Sequence, residues 1–294
     1  MATKKRTLSA QEQHLLRSAL QSATIEALMA SRRWEPGDIA FQGGTSLHLA
    51  HGSARFSEDL DFMVRGGLSL AGLSSKVLEK LTLPANMPPD LKLSVTLSKD
   101  KKNPHAFYVV LSGPDVLGSA KVKIELWQTE GTALRSLQVQ VSCVSSPAGQ
   151  AFVPTLTLEE IFADKVYALG ARNRIKPRDV FDLWWLVQKQ LPALRLDALR
   201  TRLDIYPAPS ANRGDTARQW LANARLRLAD LRSSTAPDMV SADLQKWLPS
   251  SWKMDRAVAA DMLRPATLQL ESAVASMEIM VQQMPTEPVG GGHE

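Results

Sequence analysis

Two aspartates separated by one residue, Asp59 and Asp61, have the type and spacing of a catalytic pair. Residues two apart on a β-strand point to the same side, so the two carboxylates would lie a few ångströms apart. Carboxylates this close repel each other unless a cation lies between them. Mg²⁺ is bound in proteins by one or two carboxylates together with the phosphates of a substrate. The pair therefore predicts a site for Mg²⁺ or Mn²⁺ that acts on a phosphate chain.

A third carboxylate comes from the segment KVKIELW, in which apolar residues alternate with charged ones. This alternation predicts a strand with Glu125 on the face opposite Ile124. If this strand neighbours the strand of Asp61, Glu125 can act as a third metal ligand, or as the base for an attacking hydroxyl. The same pattern is also typical of a half-exposed strand with ordinary surface charges, and both interpretations remain open from the segment alone.

Two glycines, Gly43 and Gly44, precede the aspartates and are followed by the hydroxyl residues Thr45 and Ser46. Glycine lets the backbone approach a phosphate closely, and the N–H groups at the start of a helix bind anions. The segment is not a Walker loop, because no Gly-Lys-Ser/Thr follows the glycines. We expect phosphate binding here, with Thr45 as the preferred hydroxyl and Ser46 as the second choice. Taken alone, the glycine pair is typical of an ordinary tight turn.

A basic run, RNRIKPR, lies between two predicted helices and contains Arg172 and Arg178. Lys165 precedes this run and can neutralise the charge of a triphosphate. Asp182 follows Asp179 by three residues, so both lie on one face of a helix and Asp182 can hold Lys165 in place. The alternative interpretation is a solvated pair of helices joined by salt bridges.

The elements that position these residues follow a clear order along the chain. Ser9 and Glu12 predict a capping box that opens a helix reaching about residue 32. Mixed helix and strand patterns follow, and helical patterns continue from about residue 157 onward. We therefore predict an α+β fold in two lobes. The predicted segments are a short helix at 45–51, a strand at 60–64, a helix at 68–83, and strands at 92–98, 106–112, 121–127 and 137–144.

The predicted domains are 1–150, an α/β domain with an N-terminal helix, and 151–284, a helical domain that carries Lys165 and Asp182. Residues 285–294 are predicted to be a flexible tail. The chain has 294 residues, 44% of them hydrophobic, which suffices for a real core. Its single cysteine, Cys143, excludes a disulfide framework and fits the reducing cytoplasm. We expect Cys143 to be buried, and we expect neither a secretory signal nor a membrane-spanning helix.

Two blocks of this sequence resemble the AbiEii/AbiGii toxin family of nucleotidyltransferases, which belongs to the DNA polymerase β-like superfamily. GGTSL, beginning at Gly43, and RFSEDLDF, ending at Phe62, resemble the first family motif. LTLEEIFADKVYALGARNRIKPRDVFDLWWL resembles the later motifs. The resemblance covers about residues 35–190. The residues matched in the second block are Glu160, Lys165, Arg172, Arg178, Asp179 and Asp182.

The resemblance implies a polymerase-β-like mixed-sheet domain followed by a helical domain. It implies a metal-dependent enzyme that transfers NMP from an NTP and releases pyrophosphate. The tRNA 3′ end is the expected acceptor, and a cognate antitoxin is the expected partner in a type IV toxin–antitoxin or phage-abortive system. Two alternatives stay open: the acceptor is a protein side chain or a small molecule, or the chain is an inactive module that binds an antitoxin.

The residue roles expected from this combination fall into two sets. Asp59 and Asp61 would ligate Mg²⁺ with Glu125, and Lys165 and Asp182 complete the catalytic set. The residues expected to bind the nucleotide are Gly43, Gly44, Thr45, Ser46, Lys165, Arg172 and Arg178.

Overall fold

The computed structural model describes residues 5–83, 87–99, 103, 105–129, 133–146, 149–206 and 213–284. The chain divides into two compact units. The first comprises Met1–Ile161 and Trp247–Pro249, and the second comprises Phe162–Lys246 and Ser250–Glu294. Strands occur in the first unit and helices form the second, so the predicted α+β class is confirmed. No helix in the described ranges is both long and apolar enough to cross a membrane.

The described strands are β1 (Arg6–Thr7), β2 (Ile39–Gln42), β3 (Leu60–Arg65), β4 (Lys92–Leu97), β5 (Phe107–Ser112), β6 (Val116–Leu117), β7 (Ala120–Thr129), β8 (Val139–Ser146) and β9 (Gly149–Leu156). The described helices are α1 (Ala10–Ala30), α2 (Gly43–Leu49), α3 (Leu73–Lys80), α4 (Leu158–Ala171), α5 (Pro177–Val187), α6 (Leu196–Ile205), α7 (Arg213–Leu231), α8 (Ala236–Leu244) and α9 (Arg256–Gln282). A short 3₁₀ helix spans Ala133–Ser136.

The first unit is built on a mixed sheet of seven strands in the order β4-β5-β7-β3-β2-β9-β8. The pairs β3–β7 and β2–β9 are parallel, and the remaining pairs of this sheet are antiparallel. β1 and β6 pair separately in a small parallel sheet. Strands that are neighbours in this sheet are therefore often distant in the sequence, and β3 and β7 are the pair that matters for the site.

Helix α1 packs on the apolar face of this sheet. Its capping box is formed as predicted: Glu12 N–H donates to Ser9 Oγ at 3.2 Å, and Ser9 N–H donates to the Glu12 carboxylate at 2.8 Å. Leu20 on α1 belongs to the same core cluster as Phe62 on β3 and Ile124 on β7. Because one face of β3 and β7 is filled by this core, their polar side chains lie on the opposite face.

The second unit is a helical assembly in which α9 contacts α5, α6, α7 and α8. α4 crosses α7 closely at Gly170, where a Cβ atom would overlap the ring of Trp220. The Trp220 indole donates to the Tyr167 carbonyl at 2.9 Å, which satisfies its polar edge inside the core. These contacts hold the C-terminal half of α4, where Lys165 lies.

Three features differ from the sequence-based expectations, and one expectation is not tested. The first unit continues past residue 150 because β9 belongs to the sheet; Pro154 inside this strand weakens its sequence signal. α3 starts at Leu73, because the preceding Gly72 adopts a left-handed backbone conformation that a helix cannot contain. Cys143 is exposed, because its side of β8 faces away from the core that buries Val144. The predicted tail, 285–294, lies outside the described residues.

Candidate active site

Asp61 and Glu125 lie directly opposite each other on neighbouring parallel strands, β3 and β7. Paired strands are about 4.8 Å apart, so the two residues leave the sheet side by side. Both are half-buried, whereas Leu60 and Ile124 on the other face are fully buried. The strand of Glu125 is therefore a neighbour of β3, which is the condition under which Glu125 can join the aspartates.

Asp59 lies one residue before β3, and its backbone is held by the preceding helix. Thr45 Oγ1 on α2 donates a short hydrogen bond to the Asp59 carbonyl. Thr45 and Ser46 are both fully buried, and Ser46 Oγ has no hydrogen-bond partner among the described residues. The Thr45 hydroxyl thus positions the start of the Asp-x-Asp strand. Direct contact of either hydroxyl with a phosphate therefore requires these side chains to move.

The glycine pair packs directly against the acidic motif. Gly43 has φ +78°, and a Cβ atom there would lie 2.7 Å from Asp61 Oδ2. A Cβ atom at Gly44 would overlap the guanidinium of Arg55, which is 2% exposed and donates to the Phe56 carbonyl at 2.8 Å. The two glycines therefore let α2 begin against the Asp61 carboxylate. Arg55 is a structural residue that sequence reasoning missed, although it lies within the quoted RFSEDLDF block.

Lys123 places a positive charge beside the acidic side chains of the candidate site. Its ammonium donates a short hydrogen bond to Glu125 Oε1, and the Trp127 indole donates to Glu125 Oε2 at 3.2 Å. Burial alone lowers the pKa of Lys123, but the hydrogen bond and charge of Glu125, with smaller contributions from Tyr108 and Asp59, raise it above the ordinary value. Lys123 is therefore firmly charged. Its spacing of two residues from Glu125 on one strand was the signal available in the sequence.

The donor set suits a magnesium site that the substrate completes. Among the described residues, no group of three or more His, Cys, Asp or Glu side chains forms a ready metal cage. Glu125 is turned toward Lys123 and Trp127. Mg²⁺ seldom uses an all-protein cage and commonly takes one or two carboxylates with substrate phosphates. Asp59 and Asp61 fit that pattern, with Glu125 available beside them.

A second charged cluster joins α4 and α5 in the helical unit. Lys165 Nζ lies 3.0 Å from Asp179 Oδ1 and 2.7 Å from Asp182 Oδ2. The Asp179 and Asp182 side chains are 4% and 0% exposed. Arg172 Nε lies 3.0 Å from Asp179 Oδ2, an ion pair without hydrogen-bond alignment. α5 begins at Pro177, as the sequence predicted. The ion pair between Lys165 on α4 and Asp182 on α5 therefore joins the two helices.

The basic turn before α5 is electrostatically crowded. Burial and the neighbouring Arg172 lower the pKa of Lys176, although Asp179 partly offsets this. Arg178 is half-buried within α5. Two buried carboxylates and several cations therefore meet at this turn, which keeps positive charge concentrated at one place on the helical unit.

The predicted site residues thus form two groups, one in each unit. The first unit brings together Asp59, Asp61 and Glu125 with the segment Gly43–Ser46. The second brings together Lys165, Arg172 and Asp182, with Arg178 on the same helix as Asp182.

A protein-family model described as "Nucleotidyl transferase AbiEii toxin, Type IV TA system" matches residues 27–260. The chain belongs to this family. It is accordingly a nucleotidyltransferase, and the resemblance inferred from the two motif blocks is confirmed. The AbiEii match includes both charged clusters and continues to residue 260, so it also covers helices that carried no recognisable motif.

Three solved structures share the fold of this AbiEii protein. A putative nucleotidyltransferase from H. pylori is 19% identical with a TM-score of 0.51, and the alignment covers 90% of this chain and 97% of the other. JHP933 from Helicobacter pylori is also 19% identical, with a TM-score of 0.51 and coverage of 93% and 97%. MenT4, a nucleotidyltransferase toxin from Mycobacterium tuberculosis H37Rv, is 16% identical, with a TM-score of 0.51 and coverage of 92% and 95%. A search of curated protein sequences found no match.

Proposed function

We propose that this AbiEii nucleotidyltransferase transfers NMP from an NTP to the 3′ end of tRNA and thereby acts as a growth-inhibiting toxin. The observation that carries the proposal is the register of Asp61 opposite Glu125, with Gly43 packed against the Asp61 carboxylate. This arrangement puts the carboxylates next to the glycine turn, which supports phosphate binding by that turn. Nucleotidyl transfer needs that combination, because charge on the phosphates must be neutralised where the bond breaks.

In the proposed reaction, Asp59 and Asp61 would hold Mg²⁺, and the ion would supply positive charge to the phosphates of the NTP. The backbone N–H groups at the start of α2, at Gly43 and Gly44, bind the β- and γ-phosphates. Glu125 accepts the proton of the attacking hydroxyl. Lys123 donates a hydrogen bond to Glu125 Oε1 and so holds this carboxylate beside Asp61.

The bond changes balance without a further reactant. The terminal hydroxyl oxygen of the acceptor forms a bond to the α-phosphorus, and the bond between that phosphorus and the pyrophosphate oxygen breaks. The proton passes to Glu125, and pyrophosphate leaves with the electron pair. On the helical unit, Lys165, Arg172 and Arg178 remain the predicted source of positive charge for nucleotide phosphates.

The choice of acceptor and partner rests on family membership. Type IV toxin–antitoxin systems pair a toxin with an antitoxin, so we expect an antitoxin that relieves growth inhibition by this chain. Both NTP and tRNA are cytoplasmic molecules, and we place the activity there.

A transfer assay tests this proposal. Purified protein is incubated with each α-³²P-labelled NTP in turn, together with tRNA, total protein and small metabolites, with Mg²⁺ or EDTA. We expect Mg²⁺-dependent label at the 3′ end of tRNA and its loss in Asp61→Asn. The matched control is Asp197→Asn, which removes an exposed carboxylate paired with Arg195.

Other outcomes would contradict specific parts of the proposal. Label found only in protein or in a metabolite would show that tRNA is the wrong acceptor. Growth inhibition that persists unchanged in Asp59→Ala would show that toxicity comes from binding and not from catalysis.

A further inference from the structure

The strands next to Glu125 leave a polar sheet face beside the carboxylates. Side chains that alternate with the buried core residues reach this face from β4, β5 and β7. We call it the lysine–tryptophan face. Its described members are Lys92, Ser94 and Thr96 on β4, Tyr108, Val110 and Ser112 on β5, and Lys121, Lys123 and Trp127 on β7.

The order of the strands indicates from which side of the site an acceptor would approach. The glycine turn follows β2, Asp61 lies on the neighbouring β3, and Glu125 lies on β7 beyond it. In phosphoryl transfer the attacking and leaving oxygens are roughly in line. If the pyrophosphate lies on the β2 side, the attacking hydroxyl must approach from the β7 side. The lysine–tryptophan face is the part of the sheet that begins there.

Trp127 supplies a stacking surface close to the reacting centre. It lies two residues beyond Glu125 on the same face of β7, or about 7 Å along the strand. Its indole N–H donates to Glu125 Oε2, while 37% of the side chain remains exposed. Exposed indole rings beside charged groups bind unpaired bases by stacking, without requiring a given base.

The charges on this face complement a polynucleotide backbone. Apart from Glu125, every charged side chain on β4, β5 and β7 is a lysine: Lys92, Lys121 or Lys123. Lys92 and Lys121 are exposed, and Lys121 Nζ lies 3.6 Å from the ring centroid of Tyr108. Tyr108 lies opposite Lys123 and is therefore about 13 Å along the strand from Trp127. The exposed lysines supply attraction for the backbone, and Trp127 supplies base stacking.

We propose that the lysine–tryptophan face binds the unpaired 3′-terminal nucleotides of the acceptor RNA, with Trp127 stacking on a base and Lys121 contacting a phosphate. This inference rests on the proposed function, because it assumes that the acceptor is RNA. It adds the location of the acceptor strand and two residues outside the catalytic set.

Binding of matched RNA hairpins tests this proposal. The probe is a fluorescent hairpin with a short single-stranded 3′ extension ending in a 3′-deoxynucleotide, and the comparison is the same hairpin with a blunt end. We expect Trp127→Ala to weaken binding of the extended hairpin by about tenfold and to leave the blunt hairpin nearly unchanged. Lys121→Gln should reduce the slope of log affinity against log salt by about 0.7.

Controls separate stacking from a purely structural role. Phe152→Ala removes an aromatic ring that is 64% exposed near the opposite edge of the sheet, and Lys76→Gln removes an exposed charge on α3; both should bind like wild type. Trp127→Phe keeps a ring but loses the N–H to Glu125. If RNA affinity survives in Trp127→Phe and falls in Trp127→Ala, stacking is the cause; equal loss in both would overturn the proposal.

The transfer assay distinguishes failure of this inference from failure of the proposed function. If wild-type protein labels tRNA and Trp127→Ala does so with an unchanged KM for tRNA, the lysine–tryptophan face is not the acceptor site. If wild-type protein places no label on RNA, the proposed acceptor is itself wrong.

Discussion

At the scale of single residues, lysines paired with carboxylates recur in both charged clusters. Lys165 lies between Asp179 and Asp182, and Lys123 holds Glu125. Burying a carboxylate is costly unless a positive charge and hydrogen bonds compensate it. Each lysine therefore has a structural role that is separate from any contact with a nucleotide.

We expect Lys165→Met to lower the free energy of unfolding by about 3 kcal/mol, because it leaves buried carboxylates with one fewer cation. Urea denaturation measures this. Lys80→Met is the control, since that ammonium is exposed and makes only a surface pair with Glu79. The double variant Lys165→Met with Asp182→Leu should recover part of the loss. A loss no larger than that of Lys80→Met would show that Lys165 is not needed for stability.

The sequence predicts these residue pairs only where they share a regular element. Asp179 and Asp182 lie three apart on one helix, so their common face could be inferred before the fold was known. The hydrogen bond from Thr45 to the Asp59 carbonyl depends on the rotamer of Thr45 and on the packing of α2 against β3. Periodicity carries no information about such contacts.

At the scale of elements, the site depends on a strand pairing and a turn. Alternation in KVKIELW predicts which face Glu125 occupies, but it cannot predict which strand lies beside β7. The parallel pairing with β3 joins segments far apart in the chain, and only the complete sheet determines it. The turn before α2 is different, because its two glycines signal a close approach in the sequence itself.

We expect Gly43→Ala to destabilise the protein more than Gly67→Ala and to weaken Mn²⁺ binding. Both residues have positive φ, +78° and +74°, so alanine at either costs about 1–2 kcal/mol in backbone strain. A Cβ atom at Gly43 also meets Asp61 Oδ2, whereas one at Gly67 meets nothing within 4 Å. Urea denaturation and Mn²⁺ electron paramagnetic resonance measure the two effects. Equal Mn²⁺ affinity in both variants would contradict the close packing of the turn on Asp61.

At the scale of the whole molecule, the first unit is not a continuous piece of chain. Trp247–Pro249 belong to it, although the segments on either side belong to the helical unit. Phe56 N–H donates to the Trp247 carbonyl at 2.8 Å, so this short segment holds the loop that leads to Asp59. Composition and local sequence patterns predict a continuous domain. Nothing in the segment Trp247–Pro249 itself indicates that it belongs to the first unit.

We expect a fragment of residues 1–161 to lose hydrogen-exchange protection at the Phe56 amide while keeping it at Met63 in the centre of β3. In the full chain both amides should be protected, since each lies in a defined structure. Hydrogen exchange followed by mass spectrometry or NMR measures this. Equal protection of Phe56 in the fragment and in the full chain would show that Trp247 does not hold the loop.

The position of Trp247 in the sequence has a consequence for the timing of synthesis. Ribosomes add about 5–20 residues per second, so the stretch from Phe162 to Lys246 takes on the order of ten seconds to make. During that interval all strands of the seven-stranded sheet exist, but the loop before Asp59 lacks its anchor. We therefore expect a partly translated chain to lack the hydrogen bond between Phe56 and Trp247 until the segment from Phe162 to Lys246 has been made.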